Sequence, residues 1–230
     1  MKTLTITLSM SVILLRAQAG SLSGTVHAEG KSTPTTEAAS GNYQSRKYKF
    51  VEKINYAELR DFVVYIDGPV GTNTSTPAKP VVVETRRVAQ QGAVFTPHVL
   101  PVAAGTCVEW PNNDEIFHNV FSMSDTKQFD LDLYKGNPPD KKVVFDKTGR
   151  VDVFCSIHAN MHCIVLVCPN PYFAVADESG HYSITNVPPG KYQLKAWHER
   201  LPALTKEIVV PETGEVRTDF VLGIKDLPKY

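Results

Sequence analysis

The sequence predicts an all-β protein built from two small β-sandwiches. Its apolar residues fall in short runs rich in valine, isoleucine and aromatic residues, such as residues 62–66 and 164–167. Turn sequences rich in glycine, proline, asparagine and aspartate separate these runs, as at residues 67–69 and 187–190. No stretch shows the 3.6-residue apolar period of an amphipathic helix. Short strands divided by such turns are typical of β-sandwiches.

The order of the runs predicts the individual strands. We expect strands at 20–28, 62–66, 105–110, 120–122, 142–146, 149–154 and 164–167, then five more at 172–176, 181–184, 191–197, 205–210 and 216–222. Residues 31–47 and 71–79 lack periodicity and are predicted to be loop or linker. The charged segment between 122 and 142 is interpreted as a polar loop.

Composition limits the classes of partner. The chain has 230 residues, of which 42% are hydrophobic, so it can fill one or two folded cores. Lys+Arg and Asp+Glu number 24 each, and this balance gives no basic field for nucleic acid. No run is long enough to predict a membrane-spanning helix. Residues 1–19 carry Lys2, an apolar run and small residues before Gly20, which predicts a signal peptide cleaved after Ala19 and a periplasmic or secreted protein.

One loop combines three kinds of metal ligand. Cys155, His158 and Met161 lie at intervals of three residues, directly after one predicted strand and before another. Thiolate and thioether sulfur suit copper, and two imidazoles, a cysteine and a weak methionine make a blue-copper electron-transfer site. The loop supplies one imidazole, and His118, beyond the turn at 111–114, is the candidate for the second.

These residues resemble the cupredoxin family, and its amicyanin type in particular. The resemblance covers roughly residues 93–167 and implies a Greek-key β-sandwich binding one type 1 copper through His118, Cys155, His158 and Met161. It also implies that Asn119 and Ser156 tie the two ligand loops together.

Ile157 departs from the amicyanin pattern, which usually has proline beside the loop histidine. Because isoleucine keeps its backbone N–H, we expect that group to donate a hydrogen bond to the Cys155 sulfur.

The remaining cysteines and histidines leave alternatives open. If Cys155 binds copper, Cys107, Cys163 and Cys168 remain, and sequence alone does not give their pairing. A Cys107–Cys168 disulfide is the expected pair, because these residues lie on strands that approach and leave the site. His162 and Cys163 stay rivals for the ligand places. The position of His162 directly after Met161 also allows it to point outward, and Cys163 can lie near the site without binding the metal. Other histidines are interpreted as ordinary surface or core residues: His27, His98, His181 and His198.

A second resemblance concerns the C-terminal part. Residues 173–184 and 187–194 resemble the carboxypeptidase regulatory-like, or transthyretin-like, β-sandwich, which normally opens with strands like 23–26 and 63–66. We therefore expect the cupredoxin-like domain to be inserted into this second sandwich. The expected divisions are a signal peptide at 1–19, N-terminal strands and linker at 20–80, the cupredoxin-like domain at 81–168, the second sandwich at 169–222 and a tail at 223–230.

The function expected from these features is exported one-electron transfer with a transient redox protein partner. The sequence has no His-x-His pair and no His-Glu-x-x-His zinc motif, so we do not expect an enzyme. Two alternatives remain: periplasmic copper storage or delivery, and a non-redox β-sandwich that binds a surface.

Overall fold

The fold is all-β, as the sequence predicts. The computed structural model describes residues 19–30, 54–71 and 85–223. Most of the predicted signal peptide, the predicted loop at 31–47, the predicted linker after residue 71 and the predicted tail after residue 223 lie outside this part. A 3-10 helix at Tyr56–Glu58 accompanies eighteen strands in the described residues. The strands are β1 Gly20–Ala28, β2 Val63–Asp67, β3 Arg86–Arg87, β4 Ala89–Gln91, β5 Val94–Thr96, β6 Val99–Ala103, β7 Thr106–Glu109, β8 His118–Ser124, β9 Lys127–Tyr134, β10 Lys142–Phe145, β11 Gly149–Phe154, β12 His162–Cys168, β13 Phe173–Val175, β14 His181–Val187, β15 Gly190–His198, β16 Leu201–Val210, β17 Glu215–Arg217 and β18 Phe220–Leu222.

Strands β3 to β12 form the unit that we call the inserted sandwich. One sheet has the order β10-β7-β3 and the other β6-β12-β11-β8-β9, with β4 and β5 as a separate hairpin. Alternate residues along these strands face inward, and they enclose Phe95, Trp110 and Phe145, each at most 1% exposed. This alternation of buried and exposed side chains is what the period of a strand produces.

The other strands form the unit that we call the outer sandwich. In one sheet β1 pairs with β14, β17 and β18, and the other has the order β13-β2-β15-β16. Their inward faces share one apolar core. The chain leaves the outer sandwich after β2 and returns to it at β13. In sequence, the strands of the inserted sandwich therefore separate two groups of strands that belong to the outer sandwich.

Two strands explain how the sandwiches meet. Val63 and Tyr65 of β2 pack with Ile164 and Leu166 of β12 in a third apolar cluster, while the alternate residues of each strand face their own core. Both strands are therefore buried on two faces, which is why each is a continuous apolar run in the sequence.

The interpretation of the charged segment as a loop is wrong. Residues 127–134 form β9, which pairs antiparallel with β8. Phe129 and Leu131 pack partly buried against the core of the inserted sandwich, while Gln128, Asp130 and Asp132 alternate with them and are exposed. An edge strand needs apolar residues on one face only, so its charged residues conceal the period. The predicted strand at 216–222 is also divided, into β17 and β18.

The expected Cys107–Cys168 disulfide is not formed, and all four cysteines are free. Cys107 lies on β7 and is partly exposed, whereas Cys168 is buried between the two sandwiches at the end of β12. The two residues belong to different sheets, and burial raises the pKa of the Cys168 thiol, which keeps it protonated. No helix in the described residues has the length and apolarity needed to cross a bilayer.

Candidate metal centre

Three of the four ligand residues predicted from the sequence, His118, Cys155 and His158, meet at one end of the five-stranded sheet. His118 is the first residue of β8, and Cys155 directly follows β11. Because β8 and β11 are antiparallel neighbours, the beginning of β8 lies beside the end of β11. This pairing brings His118 to the loop that carries His158.

Three potential ligand atoms form a tight cluster. Nδ1 of His118 lies 3.0 Å from Nδ1 of His158, and Sγ of Cys155 lies 3.6 Å from the same His158 nitrogen. One ligand atom from each residue lies within 4.8 Å of the other two. Metal bonds to imidazole and thiolate are about 2.0–2.3 Å long, so ligands around one ion must lie within about 4.6 Å of each other. The two measured separations meet this requirement.

Burial favours a structural or redox metal over an exposed, exchanging one. His118 is fully buried, Cys155 is 6% exposed, and His158 is partly exposed. Met161 is also buried and belongs to the same apolar cluster as Cys155. Of the four residues that the sequence analysis names as ligands, His158 is thus the most exposed.

Asp114 determines the orientation of the His118 ring. Nε2 of His118 lies 2.7 Å from the Oδ2 of Asp114. A carboxylate only accepts, so Nε2 carries the proton and donates, and Nδ1 presents a lone pair toward His158. Metal-binding histidines usually donate their second ring N–H to such a partner. The sequence analysis did not identify Asp114, although its position four residues before His118 was visible.

The Asp114 carboxylate is itself held by a hairpin. The backbone N–H groups of Gly92 and Ala93 donate to it at 2.6 and 2.9 Å and hold the pKa of Asp114 below its usual range, with a smaller contribution from His118. Gly92 and Ala93 are the turn between β4 and β5 and have φ values of 64° and 55°. Positive φ at both central positions is typical of a two-residue hairpin. This turn therefore aims two donors at Asp114.

Asn112 anchors the remainder of the segment before His118. Its side-chain amide donates to the carbonyl oxygens of Ile116 and Tyr134 at 2.9 and 3.0 Å, and its Oδ1 accepts from the N–H of Asp114 at 2.9 Å. Asn112 is 2% exposed. A buried amide that satisfies its partners in this way fixes the backbone on both sides of Asp114.

The ligand loop is closed by its own backbone. The N–H of Met161 donates to the carbonyl oxygen of His158 at 3.0 Å, and the N–H of Cys155 donates to that of Met161 at 3.2 Å. These bonds fold the seven residues into a compact turn. They explain how a short segment can present a thiol and an imidazole to one point.

Two expected supporting contacts are not formed. Asn119 does not reach Ser156; its amide donates to Asp130 at 2.6 Å, and its buried Oδ1 has no partner among the described residues. Asn119 and Ser156 line one groove.

The N–H of Ile157 does not donate to the Cys155 sulfur, which contacts Nδ1 of His158. The backbone hydrogen bonds that close the loop use the N–H groups of Cys155 and Met161 instead.

His162 and Cys163 do not compete for the centre. Nε2 of His162 lies 3.0 Å from an oxygen of Asp152, and its ring stacks on Phe154 with centroids 4.8 Å apart. Cys163 points into the core of the inserted sandwich, where burial raises the pKa of its thiol. His162 and Cys163, the two residues after Met161, therefore do not belong to the group formed by His118, Cys155 and His158.

Comparisons with known proteins give limited coverage. Residues 170–218 match the family model described as polysaccharide lyase family 4, domain II, instead of the expected carboxypeptidase regulatory-like family. No curated protein matches the chain.

Solved structures that match part of the chain include three copper proteins. A purple cupredoxin from Nitrosopumilus maritimus is 24% identical over 36% of this chain and 98% of its own, with a TM-score of 0.31. A copper-containing nitrite reductase from Thermus scotoductus SA-01 is 24% identical over 41% of this chain and 24% of its own, with a TM-score of 0.35. An oxidised amicyanin mutant is 20% identical over 36% of this chain and 80% of its own, with a TM-score of 0.32.

Fold and geometry together describe a two-sandwich β-protein with a buried cluster of two imidazoles and one cysteine. Among the metal ions common in proteins, copper and zinc are the ones that a set of imidazole and thiolate donors suits best. Methionine beside them is a soft ligand with no affinity for the hard ions calcium and magnesium. The residues present therefore fit a copper ion.

Proposed function

We propose that this protein is an exported one-electron carrier with a single type 1 copper. His118, Cys155 and His158 would be the strong ligands, and Met161 the weak axial ligand. The observation that carries the proposal is the convergence of one imidazole from the start of β8 with the thiol and imidazole of the loop after β11, at a point where His118 and Cys155 are buried. Bound copper would supply a reversible change between its two oxidation states.

The surrounding residues suit rapid electron transfer because they resist movement. Asp114 holds the His118 ring, and the backbone bonds of the loop hold Cys155 and Met161 in place. Ligands that are fixed before electron transfer need little rearrangement during it. Outer contacts of this kind also tune the affinity of the centre for metal.

An exposed apolar surface beside His158 suits a transient redox partner. Ile116, Phe117 and Ile157 are each about half exposed and lie in the two segments that carry the ligand histidines. Large exposed apolar side chains that cluster at one place mark a contact surface. Redox partners bind through small interfaces, so these three residues are a sufficient centre for one.

Two aspects of the proposal depend on the sequence. Export depends on the signal-like residues 1–19, most of which lie outside the described part. The absence of catalysis depends on the lack of zinc and multicopper motifs. The proposed domain division rests on the two family resemblances, which assign residues 81–168 to the cupredoxin-like domain and residues 20–80 and 169–222 to the second sandwich and its linker.

Copper loading with a pair of cysteine variants tests the function. The copper(II) protein should show an intense visible absorption from thiolate-to-copper charge transfer, with one copper per chain by metal analysis. Cys155→Ser should abolish this absorption, because the hydroxyl that replaces the thiol cannot produce it. Cys107→Ser is the matched control, because Cys107 is free and lies on a different sheet, and it should keep the absorption.

Three results would contradict the proposal. A colourless protein that binds only copper(I) would support storage or delivery. A protein that binds no copper would support a surface-binding sandwich. Charge-transfer absorption that persists in Cys155→Ser would place the thiolate ligand elsewhere.

A further inference from the structure

A second group of metal-binding side chains lies where the two sandwiches meet. His98 is in the connection between β5 and β6, His162 begins β12, and Glu199 lies between β15 and β16. One ligand atom from each lies within 4.8 Å of the other two. We infer that His98, His162 and Glu199 bind a divalent transition-metal ion that bridges the inserted and outer sandwiches.

The cluster is already assembled and accessible. Nε2 of His98 lies 3.1 Å from Oε1 of Glu199, and the rings of His98 and His162 have centroids 5.6 Å apart at 70°. The three side chains are 39%, 25% and 23% exposed for His98, His162 and Glu199. An ion can therefore enter from solvent and still be mostly shielded once bound.

Asp152 prepares His162 for metal binding. The ring nitrogen Nε2 of His162 is 3.0 Å from the Asp152 carboxylate, so Nε2 carries the proton and Nδ1 keeps a lone pair. Arg150 grips Asp152 through two hydrogen bonds of 2.8 and 2.6 Å. Arg150 and His162 thus share the Oδ1 of Asp152, and this shared contact fixes the position of the carboxylate.

Arg150 also connects this support to the third ligand. Its Nη1 donates to the backbone carbonyl oxygen of Glu199 at 3.0 Å. The same guanidinium thus orients His162 through Asp152 and holds the turn that carries Glu199. A histidine that donates to a fixed carboxylate is the usual support of a protein metal site.

The donor set indicates the class of ion. Two imidazoles and one carboxylate suit zinc(II) and copper(II), and three protein ligands leave an open coordination position. No sulfur ligand is part of the group, which disfavours copper(I). The site therefore differs in chemistry from the centre at Cys155, and the inference goes beyond the electron-transfer function and does not depend on it.

The outer sandwich contains a control for this geometry. His181 and Asp177 also form an imidazole–carboxylate pair, with a separation of 3.8 Å and both side chains exposed. No second imidazole belongs to this pair. It represents an ordinary surface pair that should not hold an ion tightly.

Zinc stoichiometry in the metal-free full chain tests the inference. Equilibrium dialysis should show that His98→Ala and Glu199→Gln each bind one zinc fewer than the unsubstituted protein, while His181→Ala binds the same number. Asp152→Asn should weaken zinc binding at this site about 10- to 100-fold by releasing His162. If the centre at Cys155 bound no metal, the number of zinc ions bound per chain would fall equally in the unsubstituted protein and in all of these variants. Loss of the site at His98 is therefore distinguishable from loss of the centre at Cys155.

A measurement on the unsubstituted chain removes any dependence on folding of the variants. Imidazole nitrogen resonances of His98 and His162 should shift on addition of zinc, and those of His181 should not. Equal zinc stoichiometry in all variants, or unchanged resonances of His98 and His162, would overturn the inference.

Discussion

Replacing Asp114 by asparagine tests whether the carboxylate determines which ring nitrogen of His118 carries the proton. The carboxylate accepts three hydrogen bonds: Gly92 N–H on Oδ1, and Ala93 N–H and His118 Nε2–H on Oδ2. Asparagine has nearly the same shape but only one acceptor oxygen, and its NH₂ group can only donate. One side of the amide must therefore face donors that it cannot satisfy.

Either orientation of the amide weakens metal binding. If the oxygen stays toward His118, the N–H of Gly92 loses its acceptor and the hairpin turn loses its tie to the site. If the amide reverses, its NH₂ donates to Nε2 and drives the His118 proton to Nδ1, the nitrogen that would bind copper. Loss of such a partner typically lowers metal affinity about 10- to 100-fold, or about 1.4–2.7 kcal/mol.

The assay is copper(I) affinity, measured by competition with a chromophoric chelator. Asp140→Asn is the matched control, because that side chain is 71% exposed and forms only a long ion pair with Lys141. Exposed pairs contribute about 0–1 kcal/mol, so this control should leave the affinity unchanged. An Asp114→Asn affinity within about twofold of the control, in a folded protein, would refute the role assigned to Asp114.

Two further predictions concern stability. Burial lowers the pKa of His198, whose Nδ1 accepts the N–H of Arg200. As the pH falls below about 6.5, the unfolded chain therefore takes up the proton before the folded chain does. The free energy of unfolding then falls by up to about 1.4 kcal/mol per pH unit. Urea unfolding at about pH 7 and about pH 5.5 should therefore show a smaller loss for His198→Gln than for the unsubstituted chain, and equal losses would contradict this. The fragment 169–230 should not fold alone, because β14, β17 and β18 all pair with β1, which it lacks. A cooperative urea transition of that fragment would disprove the dependence on β1.

Much of the fold could be predicted because both faces of its central strands are buried. The runs at 62–66 and 164–167 are continuously apolar, since β2 and β12 each contribute to two apolar clusters. The edge strand β9 could not be recognised in the same way. Its exposed face is charged, and a strand that is buried on one side only gives a weaker signal.

The candidate metal centre divides along a similar line. The pairing of Cys155 with His158 could be predicted because one short loop carries both residues, and their chemistry is visible without coordinates. The disulfide, the Asn119–Ser156 tie and the hydrogen bond to the Cys155 sulfur were expected but are not formed, because each depends on a distance between particular atoms that the sequence does not give.

By itself, the sequence determined the all-β class and the closeness of Cys155 and His158, since both follow from residue types and local spacing. Tertiary structure alone decided that Asp114 orients His118, and that His98, His162 and Glu199 meet although they are far apart in the chain. These contacts arise from antiparallel pairing within sheets and from packing of one sandwich on the other. Strand pairing and sandwich packing both join residues at arbitrary separations along the chain. The resulting contacts therefore produce no periodic pattern in the sequence.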